Sequence, residues 1–277
     1  MAKKSAHTLR AYRSDWADFA QWCVARGEPA LPASVESVVD YVAELSATRK
    51  ASTVERRLAA IGEAHREVGL ASPTDDDRIR IDVTRMRWHQ RKSTDRTVPL
   101  AVRELRVMLA ALPDDLVGAR DRALLLVGYG AGLRPSELVG MDVSDLSVVD
   151  DGLAVSLMRG RVVIPYGSSR PLCAVTAWQE WMVTAGLTSG PAFRAVDRHG
   201  RLGVNRLGEK SVTRIVRRAA ERAGLDEQRY SALSLRLGMV TAATEVGAPD
   251  RGIMARTGHR SRPLVRRYMR EAREPPD

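Results

Sequence analysis

Along the first ninety positions, apolar residues recur at three- and four-residue steps. Leu9, Tyr12, Trp16, Phe19 and Trp22 share one helical face, and Gly27 follows where such a helix would stop. Val35, Val38, Val39, Val42 and Leu45 form a second stripe, entered through Pro32, Ala33 and Ser34. Ser52 is placed to cap a third helix carrying Val54, Leu58 and Ile61. Asp75, Asp76 and Asp77 open a fourth, with Ile79, Val83 and Met86, because acids suit the positive end of a helix. The pattern predicts an all-helical first region. From Arg85 to Arg96 the chain is polar and basic, and Thr97-Val98-Pro99 breaks the periodicity. The first region therefore exits here into a linker.

The second region begins near Pro99. Leu100 to Leu112 reads as a helix. Ala119 to Tyr129, with the apolar run Ala123 to Val127, reads as a buried helix ended by Gly128, Gly130 and Gly132. Pro135 suits the first turn of a short helix reaching Val139. The period then changes. Leu153 to Leu157 and Val162 to Ile164 flank Arg159 and Gly160 and predict a β-hairpin, with a short strand at Val143 to Leu146 before it. From Cys173 onward the pattern is helical at 174–185, 211–223, 235–246, 249–257 and 263–273. The fold class is mainly α, with an α+β second region built round a small hairpin or sheet.

Charge narrows the choice of partner. The net charge of +10 favours a polyanion, most often nucleic acid. Lysine occurs only at 3, 4, 50, 92 and 210, so the positive charge is carried by arginine. Arginine's planar fork matches phosphate, and a GC-rich coding bias would produce the same composition. Cys23 and Cys173 lack metal-ligand spacing, which predicts a reducing compartment and no disulfide. No apolar run approaches about 18 residues, so no membrane span is expected. The first residues lack a signal-peptide core, and a cytoplasmic location is expected.

The candidate chemistry lies in four places. Arg134 stands where a glycine-rich turn meets a proline-started helix, with Glu137 three positions on; a phosphate would dock at such a helix start. Arg236 opens a helix that is otherwise small and apolar, so it needs a partner, either Glu137 or a substrate phosphate. His259 follows Gly258 at the end of the 249–257 helix, and Tyr268 lies nine positions further on. Taken singly, each has a structural explanation: a turn arginine, an ion pair, a helix end, a core tyrosine.

Their order resembles the tyrosine recombinase (phage integrase) family. Ala-Gly-Leu-Arg-Pro-Ser-Glu-Leu at 131–138, Thr-Gly-His-Arg-Ser at 257–261 and Val-Arg-Arg-Tyr at 265–268 carry the resemblance. It implies a helical core-binding, SAM-like DNA-binding domain over 1–92, a linker over 93–98 and a catalytic domain over 99–277. It also implies integrase-type recombination of double-stranded DNA, with assembly into a tetramer on that DNA and no metal or other cofactor. Tyr268 would attack the scissile phosphate and form a 3′-phosphotyrosyl bond. Arg134 and Arg236 would hold the non-bridging oxygens, His259 would donate a further hydrogen bond, and Glu137 would orient the arginines.

Two positions depart from the family pattern. Where it has a histidine three residues before the second arginine, this chain has Leu233. Where it has a hairpin lysine, this chain has Met158-Arg159-Gly160, with no lysine from 93 to 209. Arg159 is the positional stand-in, and a guanidinium is a poor proton donor. The family reading therefore divides into an active, slowed recombinase and a weakened member that serves as a DNA-binding or architectural protein. A relaxing topoisomerase is a more distant reading. His199, in an Asp-Arg-His-Gly turn, is a substitute base only if the fold brings it to the others.

Overall fold

A computed structural model describes residues 6–91 and 97–259. Tyr268 and the helix expected at 263–273 lie outside the described residues. The chain divides into two compact units, 1–94 and 95–277.

The first unit is helical: α1 (Ala6–Val24), α2 (Val35–Ser46), α3 (Ala51–Glu67) and α4 (Asp77–Arg91). The stripes read from the sequence meet in its core. Phe19, Val38, Val54 and Ile61 are fully buried, and Tyr41, Val42 and Ile79 nearly so. Leu9, the first member of the first stripe, stays exposed. The Ser34 hydroxyl accepts from the Ser37 amide at 3.0 Å and caps α2. Ser52 does not cap α3. That helix begins one residue earlier, and the Ala51 amide donates to Gln90 Oε1 of α4 at 2.8 Å. The cap comes from a helix 39 residues away, so no local pattern announces it. α4 continues through the basic stretch to Arg91, with Met86 in the core and Arg85 and Arg87 outside. One buried polar cluster links α1, α2 and α3. The Arg57 guanidinium donates to Tyr41 Oη at 2.6 Å and to Asp18, and Tyr41 donates to Asp18 at 2.6 Å.

The second unit packs around α6 (Leu116–Gly130), which is buried on nearly all sides. A helix apolar all round belongs inside, and Ala123, Leu124, Leu125 and Val127 are fully buried. Asp115 caps it by accepting from the Gly118 amide at 2.8 Å. Around it lie α5 (Val102–Ala110), α7 (Pro135–Gly140), α8 (Ala174–Ala185), α9 (Glu209–Arg222), α10 (Ala232–Glu245) and α11 (Asp250–Thr257). A three-stranded antiparallel sheet of β1 (Leu146–Val149), β2 (Gly152–Leu157) and β3 (Gly160–Pro165) runs in the order β1-β2-β3. Leu157 faces Gly160, so Met158 and Arg159 form the two-residue hairpin turn. The strand expected at 143–146 is displaced: Val143 to Asp145 form a 3-10 turn and β1 starts at Leu146. A second hairpin, β4 (Arg194–Val196) with β5 (Leu202–Arg206), has no counterpart in the expectations. Its strands are short and mostly solvated, so they carry little apolar alternation. Among the described residues, no helix is long and apolar enough to cross a membrane.

α6 does not stop at Gly128 but continues to Gly130, and Gly132 makes the turn with φ +60°. A Cβ there would meet Met239 Cε at 2.3 Å and Thr257 Cγ2 at 3.2 Å. Gly132→Ala is therefore expected to destabilise the fold by roughly 2–3 kcal/mol, combining left-handed strain with overpacking. Urea unfolding checks this.

Candidate active site

The site forms at the carboxyl end of α6. The last carbonyls of a helix lack intrahelical donors and carry partial negative charge, so they attract guanidinium groups. Arg256 of α11 donates from Nε to Gly130 O at 2.8 Å and from Nη2 to Val163 O at 3.0 Å. Arg236, in the second turn of α10 and only 3% exposed, donates from Nη1 to Gly132 O at 2.8 Å. The turn after α6 thus gathers arginines from two helices that are distant in sequence.

Arg134 follows two residues after Gly132 and is the N-cap of α7. Its amide donates to Glu137 Oε2 at 2.8 Å, and its Nη1 donates to Glu137 Oε1 at 3.0 Å. The N-cap amide of α7 is thus held by a carboxylate of its own helix. Arg159, from the hairpin turn, donates to the same Glu137 Oε1 and from Nη2 to Arg256 O at 2.9 Å. Glu137 therefore orients Arg134 and Arg159 together. Of the two partners expected for Arg236, Glu137 gives its recorded bonds to the other arginines. Arg159 is half-buried, and burial draws its guanidinium below the ordinary value against the pull of Glu137. Its Nε–H is buried with no hydrogen-bond acceptor among the described residues.

Gly258 ends α11 in the left-handed conformation, with φ +67°. A Cβ at this position would lie 2.2 Å from Arg159 Cδ, so the turn and the Arg159 side chain need each other's shape. Arg134 Nη2 donates to Gly258 O at 3.3 Å. The turn directs His259 inward, where Arg236 Nη2 lies 2.9 Å from His259 Nε2 and Thr257 Oγ1 lies 2.7 Å from Nδ1. Arginine can only donate, so Nε2 accepts and the imidazole is neutral with its proton on Nδ1. Burial first, then the charges of Arg236, Arg134 and Arg159, push its pKa down to about 4.

That shift has a testable sign. The unfolded histidine titrates near its ordinary value of 6.5, and the folded one near 4. The contribution to stability is complete above the unfolded value and is lost as pH falls from about 6.5 towards 4. Nuclear magnetic resonance should find the His259 ring neutral at pH 5, and His259→Gln should flatten the stability decline in that interval.

The sequence-predicted residues Arg134, Glu137, Arg159, Arg236 and His259 are brought together. Tyr268 lies outside the described residues. Leu233 sits on the first turn of α10, one turn before Arg236, with its side chain partly in solvent. His199 does not join them. It lies in the β4–β5 turn, whose Asp197 and Arg198 line a cleft with Asp115 and Leu116 at the amino end of α6. α6 has 15 residues, so about 22 Å of helix separates that end from Gly130. Two participants have no role in the sequence reading: Arg256, one of many arginines near the carboxyl end, with no local signal, and Thr257, which enters only as the first residue of the Thr-Gly-His-Arg-Ser motif. Among the described residues, no group of three or more His, Cys, Asp or Glu side chains is placed to hold a metal ion.

Comparisons with known proteins follow the same division. The model of the phage integrase family matches residues 99–274, and that of the phage integrase N-terminal SAM-like domain matches residues 1–67. An integrase/recombinase xerD homolog of Selenomonas ruminantium is 34% identical over 282 residues, covering 97% of this chain and 82% of its own. A lambda integrase dimer bound to a COC′ core site superimposes with TM-score 0.66 at 19% identity, covering 99% of this chain and 75% of that one. A lambda integrase tetramer bound to a Holliday junction does so with TM-score 0.65 at 18% identity, covering 99% and 75%.

Proposed function

The chain belongs to the phage integrase family of tyrosine recombinases, and we propose that it cuts and rejoins double-stranded DNA at a specific site through a 3′-phosphotyrosyl bond to Tyr268. One observation carries this reading. Arg134 and Arg159 share the carboxylate of Glu137 and Arg236 bonds a neutral imidazole, which leaves two net positive charges among these groups, and Arg256 adds a third beside them. A phosphodiester carries one negative charge, and its five-coordinate transition state carries two. The cluster therefore matches the transition state better than the ground state, which is the condition for catalysis rather than mere binding.

In this mechanism Arg236, fixed from beneath by Gly132 O, and Arg134, held by Glu137, bind the two non-bridging oxygens. Tyr268 attacks phosphorus and the 5′-oxygen leaves. The phosphotyrosyl ester conserves the energy of the broken bond, so a 5′-hydroxyl can reverse the step without a nucleotide cofactor. Arg159 stands in the hairpin turn where it bonds Glu137 and lies against Gly258; it adds charge to the site but is a weak acid. The helical region, residues 1–92, is assigned to recognition of the recombination core, and 99–277 to the chemistry. Assembly as a tetramer on DNA is supported by the tetrameric arrangement of the lambda integrase neighbour.

The test uses a duplex selected by binding from a random library. Two copies on one plasmid should undergo strand exchange. Affinity should fall by about 10³–10⁵ between 50 and 200 mM salt, as expected for six to ten phosphate contacts. Supercoil relaxation without exchange would favour a topoisomerase, and binding without either would favour a DNA-binding family member.

A further inference from the structure

Arg256 lies half-buried on the last turn of α11, directly before Thr257, Gly258 and His259. One edge of its guanidinium spans two elements. Nε donates to the carbonyl of Gly130, the last residue of α6, at 2.8 Å, and Nη2 donates to Val163 O of β3 at 3.0 Å. Both acceptors need a donor from outside. Gly130 O is one of the carbonyls that a helix end leaves without an intrahelical partner. β3 is an end strand of its sheet, so alternate carbonyls on it face away from β2. The main chain of Arg256 makes a third tie, because its carbonyl accepts from Arg159 Nη2 at 2.9 Å. Arg159 stands four residues before Val163, in the turn from which β3 departs. One residue therefore holds both the strand next to Arg159 and the guanidinium at its tip.

Such an arginine is costly to the fold. Burial draws its guanidinium below its ordinary value, and its recorded side-chain partners are both carbonyls, with no carboxylate among the described residues. Arg159 brings a second positive charge against it. A purely structural tie between α6 and β3 would be made at less cost by apolar side chains. Departures of this kind concentrate at functional sites.

We infer that Arg256 is a positioning residue for DNA cleavage: its guanidinium fastens the β2–β3 hairpin to the carboxyl end of α6, and its carbonyl holds Arg159, so that the Arg159 charge stands beside Arg134 and Glu137 before substrate arrives. This rests on the recombinase reading and deepens it. In this role Arg256 touches no substrate atom and acts through Arg159. The Arg159 guanidinium has two recorded anchors, Glu137 from α7 and Arg256 O from α11, and the Gly258 turn packs against its stem. Without Arg256 the remaining anchor is Glu137, whose same oxygen also serves Arg134. The hairpin could then carry Arg159 away from the cluster, and a preorganised donor would become one that must be ordered in each turnover.

The experiment is a double-mutant cycle. Arg256→Met keeps an unbranched stem and removes the donors, and it is made alone and together with Arg159→Ala. Single-turnover formation of the covalent adduct on a nicked duplex should slow roughly tenfold in Arg256→Met, the equivalent of one lost hydrogen bond, with duplex affinity unchanged. In the Arg159→Ala background the same substitution should cost little more, because the group it positions is gone. The full loss in both backgrounds would overturn the inference. Arg256→Lys keeps the charge and can reach one carbonyl but not both. It should show a smaller loss that also vanishes with Arg159→Ala, and it carries the cycle if the methionine variant fails to fold. A lysine variant as fast as wild type would show that charge alone suffices and would contradict the clamp. Amide hydrogen exchange in the full-length free protein gives a readout that needs no DNA. Residues 157–163 should exchange faster in either variant while α8 keeps its protection. Unchanged exchange in the hairpin, or equal loss of protection throughout the second unit, would overturn the inference. If wild type forms no Tyr268-dependent adduct, the recombinase reading falls, and hydrogen exchange still decides whether Arg256 holds the hairpin.

Discussion

Arg236→Ala is expected to lower the rate of DNA cleavage by about 10²–10³, the usual effect of removing one donor from a preorganised anion site. The position of the side chain explains the size. The residue is 3% exposed and its guanidinium is held by Gly132 O, so it is aimed before substrate arrives and needs no reorganisation in the transition state. Truncation also leaves Gly132 O and His259 Nε2 without that donor, and a decrease in unfolding free energy of roughly 1–3 kcal/mol should accompany the loss of rate. Arg236→Lys retains one charge but not the fork that reaches Gly132 O and His259 together, so it should recover much of the duplex affinity and little of the rate. Single-turnover cleavage of a nicked duplex, measured beside binding and urea unfolding, separates the three effects. Equal losses in binding and cleavage would show that Arg236 acts on the ground state instead.

The second large effect runs in the opposite direction. Leu233→His combined with Arg159→Lys is expected to raise cleavage by about 10², the lower end of what a positioned acid or base contributes. Residue 233 lies three positions before Arg236 on α10, so it shares that helix face, and its partly solvated side chain can be replaced without opening the core. Residue 159 lies in the two-residue turn between β2 and β3 and already reaches Glu137. A lysine there would keep a positive charge beside Glu137, lose the bond to Arg256 O and gain a proton that it can release. Unchanged or slower cleavage by the double variant would mean that the present residues already perform both transfers.

Much of this arrangement was legible in the sequence, and the rest was hidden for identifiable reasons. The helical stripes of the first unit and the β2–β3 hairpin follow from the periods of three to four and of two, because burial of one face is what those periods encode. Arg134, Glu137, Arg236 and His259 are picked out by the family resemblance that their motifs carry, and Arg159 by the position of that pattern's hairpin lysine. Which of them touch is not, because their contacts span 22 residues from Arg159 to Glu137 and 104 from Arg236 to Gly132. The Gln90 cap on α3 is invisible locally for the same reason. β4 and β5 were missed because solvated strands have no apolar alternation to read. Thr257 belongs to the quoted motif but carries no role there, because a threonine on a last helical turn is ordinary, and only the burial of its hydroxyl between Ile253 O and His259 gives it one.

The central claim is that this cluster serves nucleophilic attack by Tyr268 on a DNA phosphate. The most direct measurement traps the covalent intermediate on a nicked duplex carrying the selected site and maps the linkage by mass spectrometry. Wild type should yield an adduct joining Tyr268 to a 3′-phosphate and release a free 5′-hydroxyl, while Tyr268→Phe binds the same duplex and yields none. An adduct on another residue, an adduct of 5′ polarity, or equal adduct from Tyr268→Phe would contradict the account.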